Sequence, residues 1–335
     1  MLRFLSHPYI IESSNIGGST NIFTDNCLKK KNIMSVDSPF VAIAKSLRQE
    51  NYAFTAITPE SHQTILNRGL FASNLRDVFG WNRPFSPEVL SAETFIDLMN
   101  FGELNRVGDK YISKLRFATL FDDIYLHSGY PTTDQNAVFF GPDTYRYAKL
   151  LREHVTSATR LVDVGCGSGA GGLCLKDRVE SMCLADINPQ ALEYARINAE
   201  IADISARVET TYSDILSGIE GDFDLVISNP PYMVDDTERT YRHGGEKLGA
   251  ALSVRIAEQA LARLTTGGKL VLYTASAIVD GVDTFWQTVK PLLSEDKHVI
   301  HYEEIDPDVF GEELQRQAYQ TVDRLAVVGL VVTIK

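Results

Sequence analysis

A buried strand that must stop at a pair of prolines is the feature that most constrains the fold of this chain. Residues 223–228 form a nearly continuous apolar run, and Asn229, Pro230, Pro231 and Tyr232 follow directly. Strands with both faces buried in a parallel sheet read as such runs, and proline ends them because it donates no ladder hydrogen bond. Proline also holds the residue before it in an extended conformation. The sequence therefore predicts an α/β fold with Asn229 at the carboxyl end of a central strand.

The residues at this strand end have the chemistry to hold a planar amine. The amide oxygen of Asn229 and nearby backbone carbonyls accept hydrogen bonds, and the ring of Tyr232 offers a flat face for stacking. Open α/β sheets bind their ligands at the carboxyl ends of the strands. We therefore predict a catalytic turn at Asn229, Pro230, Pro231 and Tyr232, with a rigid loop of no catalytic role as the plainer alternative.

A second strand, upstream of the first, runs into a glycine-rich turn. Asp163 lies at the end of this strand, and Gly165, Gly167 and Gly169 follow at alternate positions. Glycines allow close approach of the backbone to a ligand, and the amides of the next helix point at a negatively charged group. A dinucleotide would use the same kind of turn, so the pattern alone is a weak signal. Asp163 favours a ligand with an ammonium group, because a phosphate would be repelled there.

Two further predicted strands also end in acidic residues. Residues 181–185 lead to Asp186, and residues 207–212 lead to Ser213 and Asp214. A carboxylate at Asp186 can accept hydrogen bonds from two ribose hydroxyls, and a polar side chain at position 214 can meet an adenine amino group. Each acid alone is compatible with a helix cap. Acids at three successive strand ends together favour a nucleoside that carries an amino acid moiety.

Taken together, these motifs resemble the class I S-adenosylmethionine-dependent methyltransferases, in particular the branch whose Asn-Pro-Pro-Tyr tetrapeptide serves methylation of planar nitrogens. The resemblance covers roughly residues 139–335. It implies a Rossmann-like, seven-stranded, mostly parallel sheet with an antiparallel last strand. It also implies S-adenosylmethionine as cofactor and S-adenosylhomocysteine as product. The cofactor-binding residues that it implies are Asp163, Gly165, Cys166, Gly167, Gly169, Asp186, Ile187, Asp214, Ile215 and Asn229.

The segment before the glycine-turn strand is similar to the arm of release-factor glutamine methyltransferases. Residues 139–144 contain the proline, aspartate and threonine of that arm, although Gly141 stands where those enzymes often have an arginine. In that family the arm closes over cofactor and substrate. The resemblance therefore implies that Phe140 and Thr144 contact the substrate.

A polar segment between the catalytic turn and the next long helix supplies further substrate-binding candidates. Residues 235–247 are rich in charge, and the candidates are Arg239, Tyr241, Arg242 and His243. Arginines bind phosphate or acidic peptides, and aromatic rings stack on bases. The alternative is a solvated loop whose charges pair locally.

The proposed acceptor explains why no general base and no metal ion are expected. A planar nitrogen shares its lone pair with a carbonyl or a ring and is a poor nucleophile. Alignment of two reactants contributes up to roughly 7–11 kcal/mol in well-oriented systems. Hydrogen bonds from the substrate to Asn229 and to the Pro230 carbonyl would strengthen as positive charge develops on the nitrogen.

Length and pattern predict three regions. The 335 residues leave room for two cores. We expect a mobile extension over residues 1–38, a small, mainly helical domain over residues 39–135 and the catalytic domain over residues 136–335. Helical patterns followed by a β-hairpin over residues 104–120 resemble a winged helix. A helical cap that selects the substrate is the preferred interpretation.

The net charge of the chain helps to distinguish a protein partner from a nucleic-acid partner. Its net charge is -12, most of it carried from Phe140 onward, which argues against an extended phosphate-binding surface. We expect a glutamine side chain of a protein as acceptor, with a ribosomal or transfer RNA base as the alternative and a non-catalytic cofactor-binding module as a third possibility. Without an apolar stretch of about 20 residues, a secretory core or paired cysteines, we expect a cytoplasmic protein with no membrane or metal partner.

Overall fold

Four helices and two β-hairpins form residues 38–128 of the part of the chain that the structure describes. The structure is a computed structural model, and it describes residues 38–234, 244–245 and 248–335. The helices are α1 (Pro39–Gln49), α2 (Pro59–Leu66), α3 (Leu75–Phe79) and α4 (Ala92–Asn100). The strands are β1 (Leu104–Val107), β2 (Lys110–Ser113), β3 (Leu115–Leu120) and β4 (Asp123–Ser128).

The hairpin expected over residues 104–120 forms at its turn and first strand, but its second strand ends at Ser113 and a second hairpin follows. Strand β1 pairs with β2, and β3 pairs with β4, each in antiparallel register. The break lies at Ser113, whose hydroxyl donates to the Leu115 carbonyl and accepts from the Leu115 amide. Such local side-chain bonds compete with the ladder and end a strand.

The carboxyl-terminal part of the chain forms the central sheet and five further helices within the described residues. The strands are β5 (Ala158–Val164), β6 (Val179–Asp186), β7 (Val208–Tyr212), β8 (Phe223–Ser228), β9 (Leu264–Val279), β10 (Val282–Asp283), β11 (His298–Asp306) and β12 (Arg324–Ile334). The helices are α5 (Pro142–His154), α6 (Ala170–Leu173), α7 (Pro189–Ile201), α8 (Ala251–Leu261) and α9 (Thr284–Val289).

The sheet order confirms the predicted fold class. The strands lie in the order β11-β12-β9-β8-β5-β6-β7, and the short β10 pairs with β9. Strands β7, β6, β5, β8 and β9 are parallel to one another, whereas β12 is antiparallel to both β9 and β11. The result is the predicted seven-stranded, mostly parallel sheet with an antiparallel last strand.

Helices cover both faces of the sheet, which explains the apolar runs. In β8, Leu225 and Ile227 pack in one buried cluster and Val226 in another. The first cluster contains residues of α5, α6 and α7, and the second contains residues of α8 and α9. Within the described ranges, no helix combines the length and the apolar character needed to cross a bilayer.

Some element boundaries differ from those that the sequence pattern predicts. The glycine pair Gly267 and Gly268 predicts a turn, but it lies inside β9 as a bulge, where the pairing with β8 moves from Phe223↔Leu264 to Leu225↔Lys269. The apolar pattern predicts helices over residues 248–264 and 282–293. The structure has the shorter α8 in the first range, and α9 followed by a 3-10 turn in the second.

The amino-terminal part packs directly on helix α7. Ile197 and Ile201 are buried in one cluster with Leu47 and Leu126. The side chain of Asn198 accepts from the Leu126 amide at 2.7 Å and donates to the Leu126 carbonyl at 2.9 Å. The domain boundary between residues 135 and 136 stays a prediction. Residues 1–37 of the expected extension lie outside the described residues.

Candidate active site

A cavity of about 250 Å³ lies where the carboxyl ends of the parallel strands meet. Most of the residues predicted as site residues from the sequence line this cavity. They are Thr144, Asp163, Gly165, Cys166, Gly167, Asp186, Ile187, Asp214, Ile215, Asn229, Pro230, Pro231 and Tyr232. Residues from three strand ends, one helix and the catalytic turn therefore converge on one space.

Other predicted residues are placed elsewhere. Gly169 does not line the cavity and forms the N-cap of α6 instead. Phe140 is buried, with its ring stacked 5.1 Å from that of His127, and its neighbour Phe139 lines the cavity in its place. Four predicted substrate contacts lie outside the described residues, namely Arg239, Tyr241, Arg242 and His243.

The glycine turn keeps its backbone open to the cavity. The amides of Gly165 and Cys166 both donate to the Ala185 carbonyl, at 2.8 and 3.0 Å, and so fix the turn to the end of β6. Gly165 and Gly167 have φ values of 70° and 54°, which glycine adopts without strain. A Cβ atom at either position would meet no atom within 4 Å. A ligand can therefore lie directly against this backbone.

Asp163 is a buried carboxylate beside an unpaired tyrosine hydroxyl. One oxygen of Asp163 accepts from the Gly172 amide at 2.9 Å, and burial raises the pKa of this carboxyl to about 7. The buried hydroxyl of Tyr147 makes no hydrogen bond within the described part of the chain. Since buried polar atoms normally have partners, both groups suit a ligand with polar atoms at this place.

Asp186 binds backbone amides on both sides and still faces the cavity. Its two oxygens accept from the amides of Gly167 and Asn188, at 2.9 and 2.8 Å. Burial raises the pKa of this carboxyl. Each oxygen retains a lone pair for a ligand hydroxyl. The side chain of Ile187 is 47% exposed, so an apolar surface lies next to this carboxylate.

Asp214 and Ile215 form the lining that follows strand β7. The Asp214 side chain is 64% exposed and lies 3.4 Å from the Arg255 guanidinium. Ile215 is buried and has a φ of 55°, an unusual value for a β-branched residue. The Ser213 hydroxyl holds this conformation by donating to the Ile215 carbonyl at 2.9 Å.

The turn predicted to be catalytic, at residues 229–232, is fixed by its surroundings, while Asn229 keeps free hydrogen-bonding capacity. The Ser228 hydroxyl donates to the Val164 carbonyl at 2.7 Å and joins the ends of β8 and β5. A Cβ atom at Gly249 would lie 2.1 Å from the Tyr232 carbonyl oxygen, so the two backbones are in close contact. The Asn229 side chain makes no hydrogen bond to another described residue.

A buried carboxylate lies beside the tyrosine of the turn. Asp143, at the start of α5, accepts a hydrogen bond of 2.7 Å from the Tyr273 hydroxyl, and the Tyr232 hydroxyl lies near the same carboxylate. Burial and the nearby Asp143 carboxylate raise the pKa of Tyr232 well above its ordinary value. Arg146 lies 3.3 Å from Asp143 and 2.7 Å from Asp306. Helix α5 and strand β9 are thus joined beside the turn, where the Tyr232 ring packs 6.5 Å from that of Tyr273.

Sequence reasoning missed several lining residues. Asp143 had a signal, since it lies in the arm between Pro142 and Thr144. Tyr147 also had one, since it lies one helical turn after Asp143 and Thr144. Phe310 gave none, because it is remote in sequence from the motifs and reaches the cavity only through the fold.

The charge of the lining favours a cationic ligand. Among the described residues, the lining contains Asp143, Asp163, Asp186 and Asp214 but neither lysine nor arginine. S-adenosylmethionine carries a sulfonium and an ammonium group, which suit such a lining. The open space over the glycine turn and the unpaired Tyr147 hydroxyl also agree with this ligand. The residues present therefore fit this cofactor.

Comparisons with known proteins agree with the geometry. A family model described as methyltransferase small domain matches residues 132–280. The release factor glutamine methyltransferase of Lactococcus lactis subsp. lactis is 30% identical over 196 residues, which cover 54% of this chain and 68% of that protein. The ribosomal RNA small subunit methyltransferase C of Actinobacillus pleuropneumoniae serotype 7 is 33% identical over 48% of this chain and 48% of that protein.

The solved structures that are similar to this chain include Trm5b from Pyrococcus abyssi. It is 14% identical in sequence, with a TM-score of 0.48, and the match covers 69% of this chain and 62% of Trm5b. The chain spans about two thirds of the length of the first relative and about half of the second.

Proposed function

Because the chain belongs to the S-adenosylmethionine-dependent methyltransferases that contain a methyltransferase small domain, we propose that it methylates a planar nitrogen held at the catalytic turn. The observation that carries this proposal is the shared cavity. Asn229 lines the same space as the glycine turn and Asp186, so an acceptor bound to Asn229 lies next to the cofactor site. The acceptor is an amide or an exocyclic amine.

Each lining residue has a defined task in this proposal. When bound, S-adenosylmethionine supplies a methyl group attached to a positively charged sulfur. Asp163 would hold its ammonium group and Asp186 its ribose hydroxyls, and Ile187 and Ile215 would offer apolar surface to its adenine ring. Asn229 and the Pro230 carbonyl accept hydrogen bonds from the acceptor N–H2 group.

The hydrogen bonds to Asn229 and to the Pro230 carbonyl become stronger during methyl transfer. Positive charge develops on the acceptor nitrogen as it is methylated, so hydrogen bonds from that nitrogen to Asn229 strengthen in the transition state. Tyr232, whose ring packs near those of Tyr273 and Phe310, forms a wall that keeps the planar group in line. The proton that leaves the nitrogen would pass to solvent water, so no general base is needed in the turn.

We favour a glutamine side chain of a protein as the acceptor. The first support is the relative named for release factor glutamine methylation, of which the chain covers two thirds. The second is the net charge of -12, together with the lack of lysine and arginine among the described lining residues. A neutral amide enters such a lining at lower electrostatic cost than a nucleotide with its phosphate.

Methylation of a ribosomal RNA base is the second candidate. The relative named as a ribosomal RNA methyltransferase is 33% identical over nearly half of each chain. An exocyclic amine of a base offers the same planar N–H2 group to Asn229. Because the two acceptors share this chemistry, the turn alone does not discriminate between them.

Transfer of labelled methyl groups to a cell extract tests both candidates. The chain is incubated with S-adenosylmethionine labelled in the methyl group and with extract from cells that lack the gene, and the product is divided for protease and nuclease treatment. We expect the label to survive nuclease and to be lost with protease. Mass spectrometry of the labelled protein should place the added methyl on a glutamine.

Asn229→Ala provides the matched control. It should retain cofactor affinity in calorimetry but lose transfer by at least about 100-fold, as when one transition-state hydrogen-bonding group is removed. If nuclease treatment removes the label, the methyl acceptor is RNA and not a protein. Undiminished transfer by Asn229→Ala would refute the proposed role of the turn.

A further inference from the structure

Two histidines and a glutamate meet at one end of helix α5, away from the cavity. His154 is the last residue of α5, and His301 and Glu303 lie on the edge strand β11. Their ligand atoms all lie within 4.8 Å of one another. The side chains are 24%, 50% and 37% exposed, respectively, so the group is open to small ions from solvent.

The fold brings these residues together on one face of the sheet. Residues two apart in a strand point to the same face, so His301 and Glu303 share a side of β11, as does Gly329, which pairs with Glu303 on β12. Helix α5 covers that side, because Leu150 and Ile305 both pack at Gly329 of the neighbouring strand. The end of α5 therefore places His154 over His301 and Glu303.

The distances suit a shared ion better than direct hydrogen bonds. The Nε2 atoms of His154 and His301 lie 3.7 and 3.6 Å from the same oxygen, Oε1 of Glu303. Hydrogen bonds of this kind span about 2.7–3.2 Å. Two ligands of a tetrahedral zinc ion, each about 2.1 Å from the metal, lie about 3.4 Å apart. Small side-chain movements would therefore complete a coordination sphere.

We propose that His154, His301 and Glu303 bind a zinc ion. Two imidazoles and one carboxylate form a ligand set that zinc accepts, and the fourth position is left for water. The end of a helix favours a cation because its carbonyls carry partial negative charge. The Lys269 ammonium contacts the carbonyl oxygen of His154 and not its imidazole.

The zinc ion ties helix α5 to strand β11 and takes no part in transfer. The same helix and strand are already joined by the ion pair between Arg146 and Asp306. His154 follows Asp143 by three turns of helix, about 16 Å at 1.5 Å per residue. Occupation of the site therefore stabilises the helix whose first turn lines the cavity, without contacting the cavity.

Calorimetric titration of the chelator-treated full chain with zinc chloride tests this proposal. We expect one saturable site and a rise in the melting temperature with zinc. His301→Ala and Glu303→Gln should each weaken zinc binding by about tenfold or more, since even indirect partners of a metal site contribute 10–100-fold. Both variants should bind S-adenosylmethionine as the parent chain does, which also verifies that they fold.

Two neighbouring residues supply matched controls. His298 lies on the same strand, but its Nδ1 accepts from the Ser294 amide, and Glu304 is paired with Arg324. His298→Ala and Glu304→Gln should bind zinc with parental affinity. The proposal is overturned if the parent chain binds no zinc, or if His301→Ala and Glu303→Gln bind it as tightly as the controls do.

Discussion

At the scale of single residues, the most informative group is the buried acid Asp163. Its carboxyl has a pKa of about 7 instead of 3.8, because burial disfavours the charged form. Between pH 3.8 and about pH 7, folding is therefore accompanied by uptake of a proton. The contribution of the protonated Asp163 carboxyl to stability is lost as the pH rises through about 7. A bound ammonium group reverses this preference because it favours the ionised form.

The affinity for S-adenosylmethionine should consequently depend on pH. We expect it to fall by up to about tenfold per pH unit below pH 7, since the ionised form of Asp163 becomes scarce there. Calorimetry between about pH 5.5 and 8 measures the change, and binding at the lower end should release protons. Asp163→Asn should bind more weakly at neutral pH and lose this pH dependence. If the affinity of Asp163→Asn for S-adenosylmethionine kept the same pH dependence, another group would be responsible for it.

The hydrogen bond between Tyr273 and Asp143 leads to a second prediction. Tyr273→Phe retains the ring but removes the 2.7 Å bond to Asp143, which should cost about 1.5–3 kcal/mol of stability as a hydrogen bond to a charged group. Because the Tyr273 ring packs 6.5 Å from that of Tyr232, whose hydroxyl lies near Asp143, turnover should fall while cofactor affinity is kept. Steady-state kinetics and chemical unfolding separate these effects.

Tyr302→Phe is the matched control for this change. The Tyr302 hydroxyl also donates to an aspartate at 2.7 Å, Asp283, and lies outside the cavity lining. It should lose comparable stability and keep full turnover. Equal turnover in the two variants would contradict a positioning role for Tyr273.

At the scale of elements, the catalytic turn depends on close contact between two backbones. Gly249 has a φ of 91°, and a Cβ atom there would lie 2.1 Å from the Tyr232 carbonyl oxygen. Gly249→Ala should displace the turn and abolish turnover. Gly281 also has a positive φ, 73°, but a Cβ atom there meets nothing within 4 Å.

Gly281→Ala therefore isolates the cost of backbone strain, about 1–2 kcal/mol for a left-handed alanine. Gly281→Ala should lower the melting temperature slightly and leave turnover unchanged. Gly249→Ala should lower the melting temperature and also abolish turnover. Comparable kinetics in the two variants would mean that contact with Tyr232 is unimportant for the turn.

The elements also show which parts of the structure were accessible from the sequence. The strand that ends at Asn229 and the glycine turn were predicted correctly. Short apolar runs, and the glycine and proline residues that end them, are signals contained in the local sequence. The bulge at Gly267 was interpreted as a turn, since glycine marks both and only pairing with β8 separates them. Tyr273 reaches Asp143 through the packing of β9 against α5, which no local pattern encodes.

At the scale of the whole molecule, the amino-terminal part and the sheet share buried surface. Helix α7 buries Ala191, Tyr194, Ile197 and Ile201 against the amino-terminal helices and hairpins. Asn198, on the same helix, is 1% exposed and bonds to Leu126 and to the Ser168 carbonyl. The folding of residues 136–335 is therefore coupled to the presence of residues 38–135.

A fragment of residues 136–335 should consequently be unstable, although the sequence alone suggests an independent catalytic domain. Exposing each large apolar side chain of α7 costs about 1.5–3 kcal/mol, and leaving Asn198 without Leu126 costs a further 1–3 kcal/mol. The sum approaches the roughly 5–15 kcal/mol by which whole domains are stable. Thermal unfolding followed by circular dichroism should show a cooperative transition for residues 38–335 and none for the fragment. A fragment that melts cooperatively and binds S-adenosylmethionine would establish two independent domains instead.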